Sequence, residues 1–413
     1  MAKKANSGKA SIFKDPIKGH HLSTLVDKFD SDSIFDAAYM LGIPIPLWYK
    51  FTRDNVPKSS VGAQARMAAH LPVQRASVAL LARYSLTYPD RVPQVKFPEA
   101  TKLWELLKKT YPSSRPLDLA LFLMRDRSAS SRWLASDPNK RQQFDTRARR
   151  LGLLFKKFIE RRNLPAWKQL IKEEMDIRQR DEIKKMLEVT STTGKKSTEQ
   201  KGFFEELAAD PERMDVLMSA DFTQEVSKRP YSHVMRYADL LELVDTTEDY
   251  KKLSHADIQY IFGLGISFIG LMMPTESEWK PHHMATMNAP IADPGLAIMV
   301  RYYLRNPREI NDVRMPRVNP MEALAFIEQF DIPQLSKVNE KELALLMGAS
   351  TSVPDKWDQY TGLSSTRSRI VNIMLNEIEA GRFEDWLAVV HTESELRGIS
   401  NIFTLDSWPS YPE

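Results

Sequence analysis

Arg125, Arg127, Ser128, Ser130, Ser131 and Arg132 fall within eight consecutive positions. A guanidinium group is a planar fork of donors that matches paired acceptors: a carboxylate, a phosphate or the edge of a guanine. A seryl hydroxyl donates to and accepts from either kind of surface. These residues can grip an acceptor-rich partner. Basic residues continue at Lys140, Arg141, Arg147, Arg149 and Arg150, then at Lys156, Lys157, Arg161 and Arg162, dense enough to follow a polyanionic backbone.

Covalent and metal chemistry is poorly represented. The 413 residues include no cysteine, which excludes disulfides, thiolate nucleophiles and cysteine-ligated zinc and fits a reducing cytoplasm. The pairs His20-His21 and His282-His283 lack further ligands at metal-site spacing and read as solvent-exposed loop histidines. GLGISFIG (263–270) has the glycines of a phosphate loop but no Lys-Ser/Thr ending and no preceding strand. Glu173, Glu174 and Asp176 sit on a charged helix beside Lys172 and Arg178, as solvated ion pairs would. The chain is expected to be neither an enzyme nor a metalloprotein.

The net charge of +4 conceals an asymmetry. Residues 1–165 hold 30 basic and 14 acidic side chains, a net of +16, and the remainder is at −12. Such a split points to a polyanion meeting the basic half, or to two halves that attract each other. The longest apolar stretch, Ile258 to Met273, is interrupted by Gln259, Ser267 and glycines, so no membrane partner is expected.

The elements that must position these side chains are helical. From Phe35 onward apolar residues recur at three- and four-residue spacing, and prolines or glycines separate the segments. Residues 1–30 read as a disordered basic tail, 31–165 as a basic domain and 166–250 as a charged helical linker region. Within that region VTSTTGKKSTEQKG is the flexible part. Residues 251–390 form a second domain, and 391–413 a C-terminal tail.

The two domains repeat each other. LLARYSLTYPDRVPQVKFPEATKLWELL (80–107) lies over IMVRYYLRNPREINDVRMPRVNPMEALAFI (298–327), DLALFLMRDRSASSRW (118–133) over ELALLMGASTSVPDKW (342–357), and DAAYMLG (36–42) over DIQYIFG (257–263). The offsets are 218 at Arg83 and Arg301, 221 at Asp36 and Asp257, and 224 at Asp118 and Glu342. Offsets this steady make residues 36–162 and 257–385 two copies of one unit.

Each copy is double in turn. Ala38, Gly42 and Phe51, and again Ala344, Gly348 and Trp357, follow one spacing: small residue, glycine four later, apolar residue nine after that. Ala120 and Trp133 fit it with Met124 in the glycine's place; Gly263 fits it with Gln259 in the small residue's place. The pattern resembles the helix-turn-helix of repressor-like and Cro-like DNA-binding families. In those families the small residue lets two helices cross, the glycine takes positive φ in the turn, and the second helix enters the major groove. Trp133 and Trp357 are expected in the core.

The resemblance implies an all-α protein with two related halves, four such elements, double-stranded DNA as the partner and no cofactor. The residues expected to touch it are Lys50, Arg53 and Lys58 in the first element. The second supplies Arg125, Arg127, Ser128, Ser130, Ser131, Arg132, Lys140, Arg141, Arg147, Arg149 and Arg150, and the fourth Ser352 and Lys356. The third, ISFIGLMMPTE (266–276), offers phosphates nothing and is expected inside a packing or subunit interface. The C-terminal half would serve a homodimer or a partner protein. The expectation is a transcriptional regulator, such as one serving a plasmid or mobile element. The alternatives are a helical scaffold in a macromolecular assembly, whose charge split drives association, and an RNA binder.

Overall fold

The fold is known from a computed structural model, which describes residues 11–29, 34–52, 69–178, 209–218, 229–245, 253–264, 287–330, 338–354, 357 and 363–412. Among these the regular structure is helical, with two isolated bridges and no strand. In chain order the helices are α1 (Gly19–Lys28), α2 (Ile34–Met40), α3 (Ile45–Thr52), α4 (Ala76–Thr87), α5 (Ala100–Thr110), α6 (Pro116–Phe122), α7 (Arg127–Trp133), α8 (Thr146–Glu160) and α9 (Leu164–Arg178). They continue with α10 (Pro211–Met218), α11 (Asp239–Asp245), α12 (His255–Phe262), α13 (Pro294–Arg305), α14 (Pro320–Ile327), α15 (Glu340–Leu346), α16 (Ser365–Glu379) and α17 (Phe383–Leu396). Pro116, Pro294 and Pro320 open their helices where an N–H has no partner to lose, and Asp126, Asp145, Ser254, Asp293, Asn319 and Asn339 cap theirs.

The chain divides into two compact units. One comprises Met1–Val95 with Met315–Glu413, the other Lys96–Arg314. These boundaries cut through both sequence copies, whereas the sequence reading placed its domains at 31–165 and 251–390. In the first unit α4 is the central helix and packs on α1, α16 and α17. In the second, α13 packs on α8, α9, α11 and α12. Both central helices are buried almost all round, which explains their nearly unbroken apolar sequences VALLARYSL and IMVRYYL.

Each central helix carries one buried arginine, and each is answered in the same way. In the first unit Arg83 donates to Glu393 (Nη2–Oε2 2.7 Å), which also accepts from Arg397 Nε at 2.8 Å. Arg397 then donates to the carbonyls of Val73 and Gln74. In the second unit Arg301 donates to Glu174, which also accepts from Arg178 Nε at 2.6 Å, and Arg178 donates to the carbonyls of Ile291 and Ala292. The N–H of Val73 meets the Ile17 carbonyl at 2.7 Å, and that of Ile291 meets the Met235 carbonyl at 2.8 Å. A buried arginine is tolerable only when its charge and donors are matched, and both triads do this.

Three expectations change. Residues 1–30 are not a featureless tail: Gly19–Lys28 is helical, with Ile17, Leu22 and Leu25 fully buried, because its apolar residues share one face. Residues 391–413 are packed too. Helix α17 runs on to Leu396, Tyr411 is buried and donates to Glu393 at 2.6 Å, and Trp408 Nε1 donates to the Leu345 carbonyl at 2.9 Å. Glu173 and Glu174 are buried rather than solvated; Glu173 pairs with Arg305 at 2.5 Å and lies 3.8 Å from Arg229. The VTSTTGKKSTEQKG stretch, residues 266–276 and His282-His283 lie outside the described residues.

Candidate nucleic-acid interface

Helix α6 starts at Pro116, where the Arg115 N–H donates to Asp118 Oδ2 at 2.8 Å. It stops at Met124, which holds φ +55°. The Met124 N–H returns to the Leu121 carbonyl and the Arg125 N–H to that of Ala120, at 3.0 and 2.9 Å. That pair of bonds closes a helix with a left-handed residue. The same closure follows α2 at Gly42 (φ +61°), α12 at Gly263 (φ +62°) and α15 at Gly348 (φ +69°). The bonds Ile43 N to Ala38 O, Leu264 N to Gln259 O and Ala349 N to Ala344 O measure 2.8 to 3.0 Å. Met124 therefore takes the glycine conformation without being glycine. At Gly348 the neighbouring backbone of Ser77 comes within 2.4 Å of where a Cβ would stand, leaving room for glycine alone. Beside Met124 the facing residue is Gly295, whose own missing side chain leaves the room.

The side chain of Asp126 caps α7 by accepting from the Ser128 N–H at 2.9 Å. Ala129, Ser130 and Trp133 turn inward, and the Trp133 ring meets Phe144 edge-to-face at 4.6 Å. Arg127, Ser128, Ser131 and Arg132 form the outer face. The loop after α7 folds back on it: the Gln142 N–H donates to the Arg132 carbonyl at 3.0 Å, and Arg141 Nε to that of Ala135 at 2.8 Å. Lys140 and Arg141 are thereby held, exposed, near the end of α7.

Several of the expected contact residues have internal partners. Arg125 forms a two-pronged pair with Asp145, both bonds at 2.9 Å, and lies 3.9 Å from Asp293. Burial opposes the charge on Asp145, but the Arg125 guanidinium outweighs it and holds the carboxyl below its usual range. Arg147 pairs with Asp293 at 2.9 Å, and Arg149 lies 5.8 Å from the centre of the Phe97 ring. Arg150 is buried, donates to the Tyr260 carbonyl at 2.7 Å and stacks on Phe97; this is a core position and offers DNA nothing. Ser130 is likewise buried and donates to the Arg127 carbonyl at 3.2 Å. Among the outward residues, Arg127 is 63% exposed and 3.5 Å from Asp210, and Arg132 is 48% exposed and 3.1 Å from Asp126. Ser128 donates to Asp126, and Ser131 to the Ser128 carbonyl at 2.9 Å.

In the first hairpin Lys50 is exposed beside Tyr49, whereas Arg53 and Lys58 lie outside the described residues. In the fourth, Ser352 is exposed with its hydroxyl 2.9 Å from that of Ser350, and Lys356 lies outside the described residues. Trp133 and Trp357 are both buried.

The acids that answer these cations were not evident from the sequence. Asp293, Glu309, Asp312, Glu377 and Glu393 belong to the acidic half, yet they pair with Arg147, Lys157, Arg161, Arg91 and Arg83 of the basic half. Counted by compact unit, the first holds 21 basic and 22 acidic residues, the second 37 and 32. The charge split thus nearly cancels within the first unit, and the unit bearing α7 keeps a modest positive excess.

Among the described residues no group of three or more His, Asp or Glu could hold a metal ion, and no helix is long and apolar enough to cross a membrane. Comparison of the chain with protein-family models, curated proteins and solved structures returns no match.

Proposed function

We propose that this protein binds double-stranded DNA through the α6–α7 hairpin, with α7 as the helix laid in the major groove. The observation that carries the reading is the outer face of α7: Arg127, Ser131 and Arg132 are exposed together one tight left-handed turn after α6. Arg127 and Arg132 reach base edges or phosphates by exchanging weak, exposed partners, and Lys140 and Arg141 supply backbone contacts. Arg125 and Arg147 act as supports that tie the hairpin to α8 and α13. The repeat and the unit boundaries together support two related copies that have exchanged halves, so that each unit joins the front of one copy to the back of the other. A sequence-specific reader of this build would serve as a transcriptional regulator.

The test is a salt titration of the full-length protein on a pool of random duplexes, followed by sequencing of the bound fraction. A steep salt dependence with an enriched motif is expected, as is loss of that motif in Arg127→Ala and Arg132→Ala. A bidentate base contact should be worth about 1–3 kcal/mol for each arginine. Equal losses on random and selected DNA would reduce both to phosphate contacts.

One observation favours the scaffold reading: several cations of the basic half, Arg83, Arg91, Arg147, Lys157 and Arg161 among them, meet acids of the other half inside the units. No binding of duplex DNA at low salt, with salt-sensitive self-association, would put that reading first.

A further inference from the structure

The unit boundaries cut each sequence copy into a front half, 36–95 or 257–314, and a back half, 96–162 or 315–385. Each compact unit joins the front half of one copy to the back half of the other. The buried triads do not dictate that choice. Arg83, Glu393 and Arg397 in the first unit are the same residue types, in the same roles, as Arg301, Glu174 and Arg178 in the second. By the triads alone each front half fits either back half. Two other contacts, one at each end of the central helix, differ between the units in a complementary way.

The first is a difference of size. In the first unit the turn that ends α15 crosses the start of α4; in the second the turn that ends α6 crosses the start of α13. Each crossing holds one glycine, on opposite partners. In the first unit it is in the turn: a Cβ on Gly348 would stand 2.4 Å from the Ser77 nitrogen. In the second it is on the helix: a Cβ on Gly295 would stand 3.7 Å from that of Met124 and 3.0 Å from Leu151 Cδ2. Ser77 and Gly295 hold the same place in α4 and α13, and Met124 and Gly348 the same place in their turns. Joining each front half to its own back half would set Met124 against Ser77, two side chains where one fits. It would also set Gly348 against Gly295, with none. The one crossing is overpacked and the other leaves a void.

The second is a difference of charge. Arg91 and Glu309 are each the third residue of the 3₁₀ turn that follows the central helix, one starting at Pro89 and the other at Pro307. Arg91 lies 2.6 Å from Asp385 and 3.2 Å from Glu377, which Arg382 also holds. Glu309 lies 2.8 Å from Arg161 and 3.8 Å from Lys157. Joining each front half to its own back half would bring Arg91 to Lys157 and Arg161, and Glu309 to Glu377 and Asp385. Attraction becomes repulsion in both units. A partly exposed ion pair adds little stability, but like charges in its place discriminate between partners.

We propose that these two reversals, of size at Ser77 and Gly295 and of charge at Arg91 and Glu309, make the exchange of halves exclusive. Each back half accepts the front half of the other copy and rejects its own. The inference rests on the exchange of halves proposed above and is independent of DNA binding.

The experiment uses the full chain with a protease site inserted within residues 219–228, between α10 and α11, and cut after folding. With no other change the cut protein should elute from a sizing column as one species of full mass, because each unit draws on both pieces. The fourfold variant Ser77→Gly, Arg91→Glu, Gly295→Ser, Glu309→Arg suits each front half to its own back half. After cutting, its two pieces should separate. The partial swaps, Ser77→Gly with Gly295→Ser and Arg91→Glu with Glu309→Arg, suit neither pairing, so both should melt below the fourfold variant before cutting. A fourfold variant that melts below both partial swaps, does not fold where they do, or stays together after cutting would overturn the proposal. Pieces that part in the otherwise unchanged protein would instead remove the exchange of halves itself.

Discussion

Nη2 of Arg83 stands 2.7 Å from Oε2 of Glu393, 310 positions further along the chain, and neither side chain meets solvent. Arg301 and Glu174 repeat the arrangement in the other unit with the chain order reversed, the glutamate now coming first. Removing one member leaves an unmatched buried charge, which costs about 3–5 kcal/mol. Glu393→Ala and Glu174→Ala should each lose that much in urea unfolding. A combined Arg83→Met, Glu393→Leu, Arg397→Met variant should recover only part of it: the apolar cluster has no charge to desolvate, but the Val73 and Gln74 carbonyls and the Tyr411 hydroxyl lose their partners. Single-variant losses under about 1 kcal/mol would mean that the triads are not holding the units together.

Gly42 and Gly381 both have positive φ, but only one is crowded. A Cβ at Gly42 would stand 2.4 Å from the backbone carbon of Ser365, whereas nothing lies within 4 Å of one at Gly381. Gly381→Ala should cost about 1–2 kcal/mol, the strain of a left-handed alanine. Gly42→Ala should cost that and a further ~1–3 kcal/mol for overpacking. Equal midpoints in chemical denaturation would show that the hairpin turn and α16 are not in contact.

His21 gives the first unit a pH dependence. Burial, and then the neighbouring His20, push its pKa down to about 4, and its Nδ1 accepts the Lys18 N–H at 3.0 Å. The folded protein keeps His21 neutral where the unfolded chain, with a pKa near 6.5, takes up a proton. Its contribution is complete above pH ~6.5 and is lost as pH falls from there towards 4. Unfolding midpoints should decline over that window in the wild type and stay flatter in His21→Gln. Parallel curves would place the acid sensitivity elsewhere.

Trp133 and Arg132 are neighbours with opposite fates. Trp133→Ala should destabilise by about 3–5 kcal/mol, because the ring is buried against Phe144. Arg132→Ala should leave the melting temperature near that of the wild type, since its ion pair with Asp126 is exposed. The opposite order would turn α7 inside out.

Dividing the chain within VTSTTGKKSTEQKG separates the two sequence copies but leaves both compact units incomplete. Each half alone should show little cooperative unfolding, and mixing the halves should restore helicity and a sharp transition by circular dichroism. Two halves that fold independently would contradict the exchange of parts between copies.

The sequence by itself determined the helical class, the glycine turn positions and the inward tryptophans, because helical periodicity and a glycine's φ are local properties. It also put Met124 in the glycine's place of the second element, and the backbone adds that the methionine holds the left-handed φ there. Tertiary structure alone decided which segments share a compact unit, Met1–Val95 joining Met315–Glu413 and Lys96–Arg314 standing by itself. That choice rests on contacts such as Arg83 with Glu393 and Arg147 with Asp293, which no local pattern encodes. It also decided that Glu173, Glu174 and Arg150 are interior: a charged residue is buried only where distant partners match it, and those partners are assembled by the fold. The same contacts set part of the charge split against itself within the units, where the sequence alone suggested a footprint for an outside polyanion.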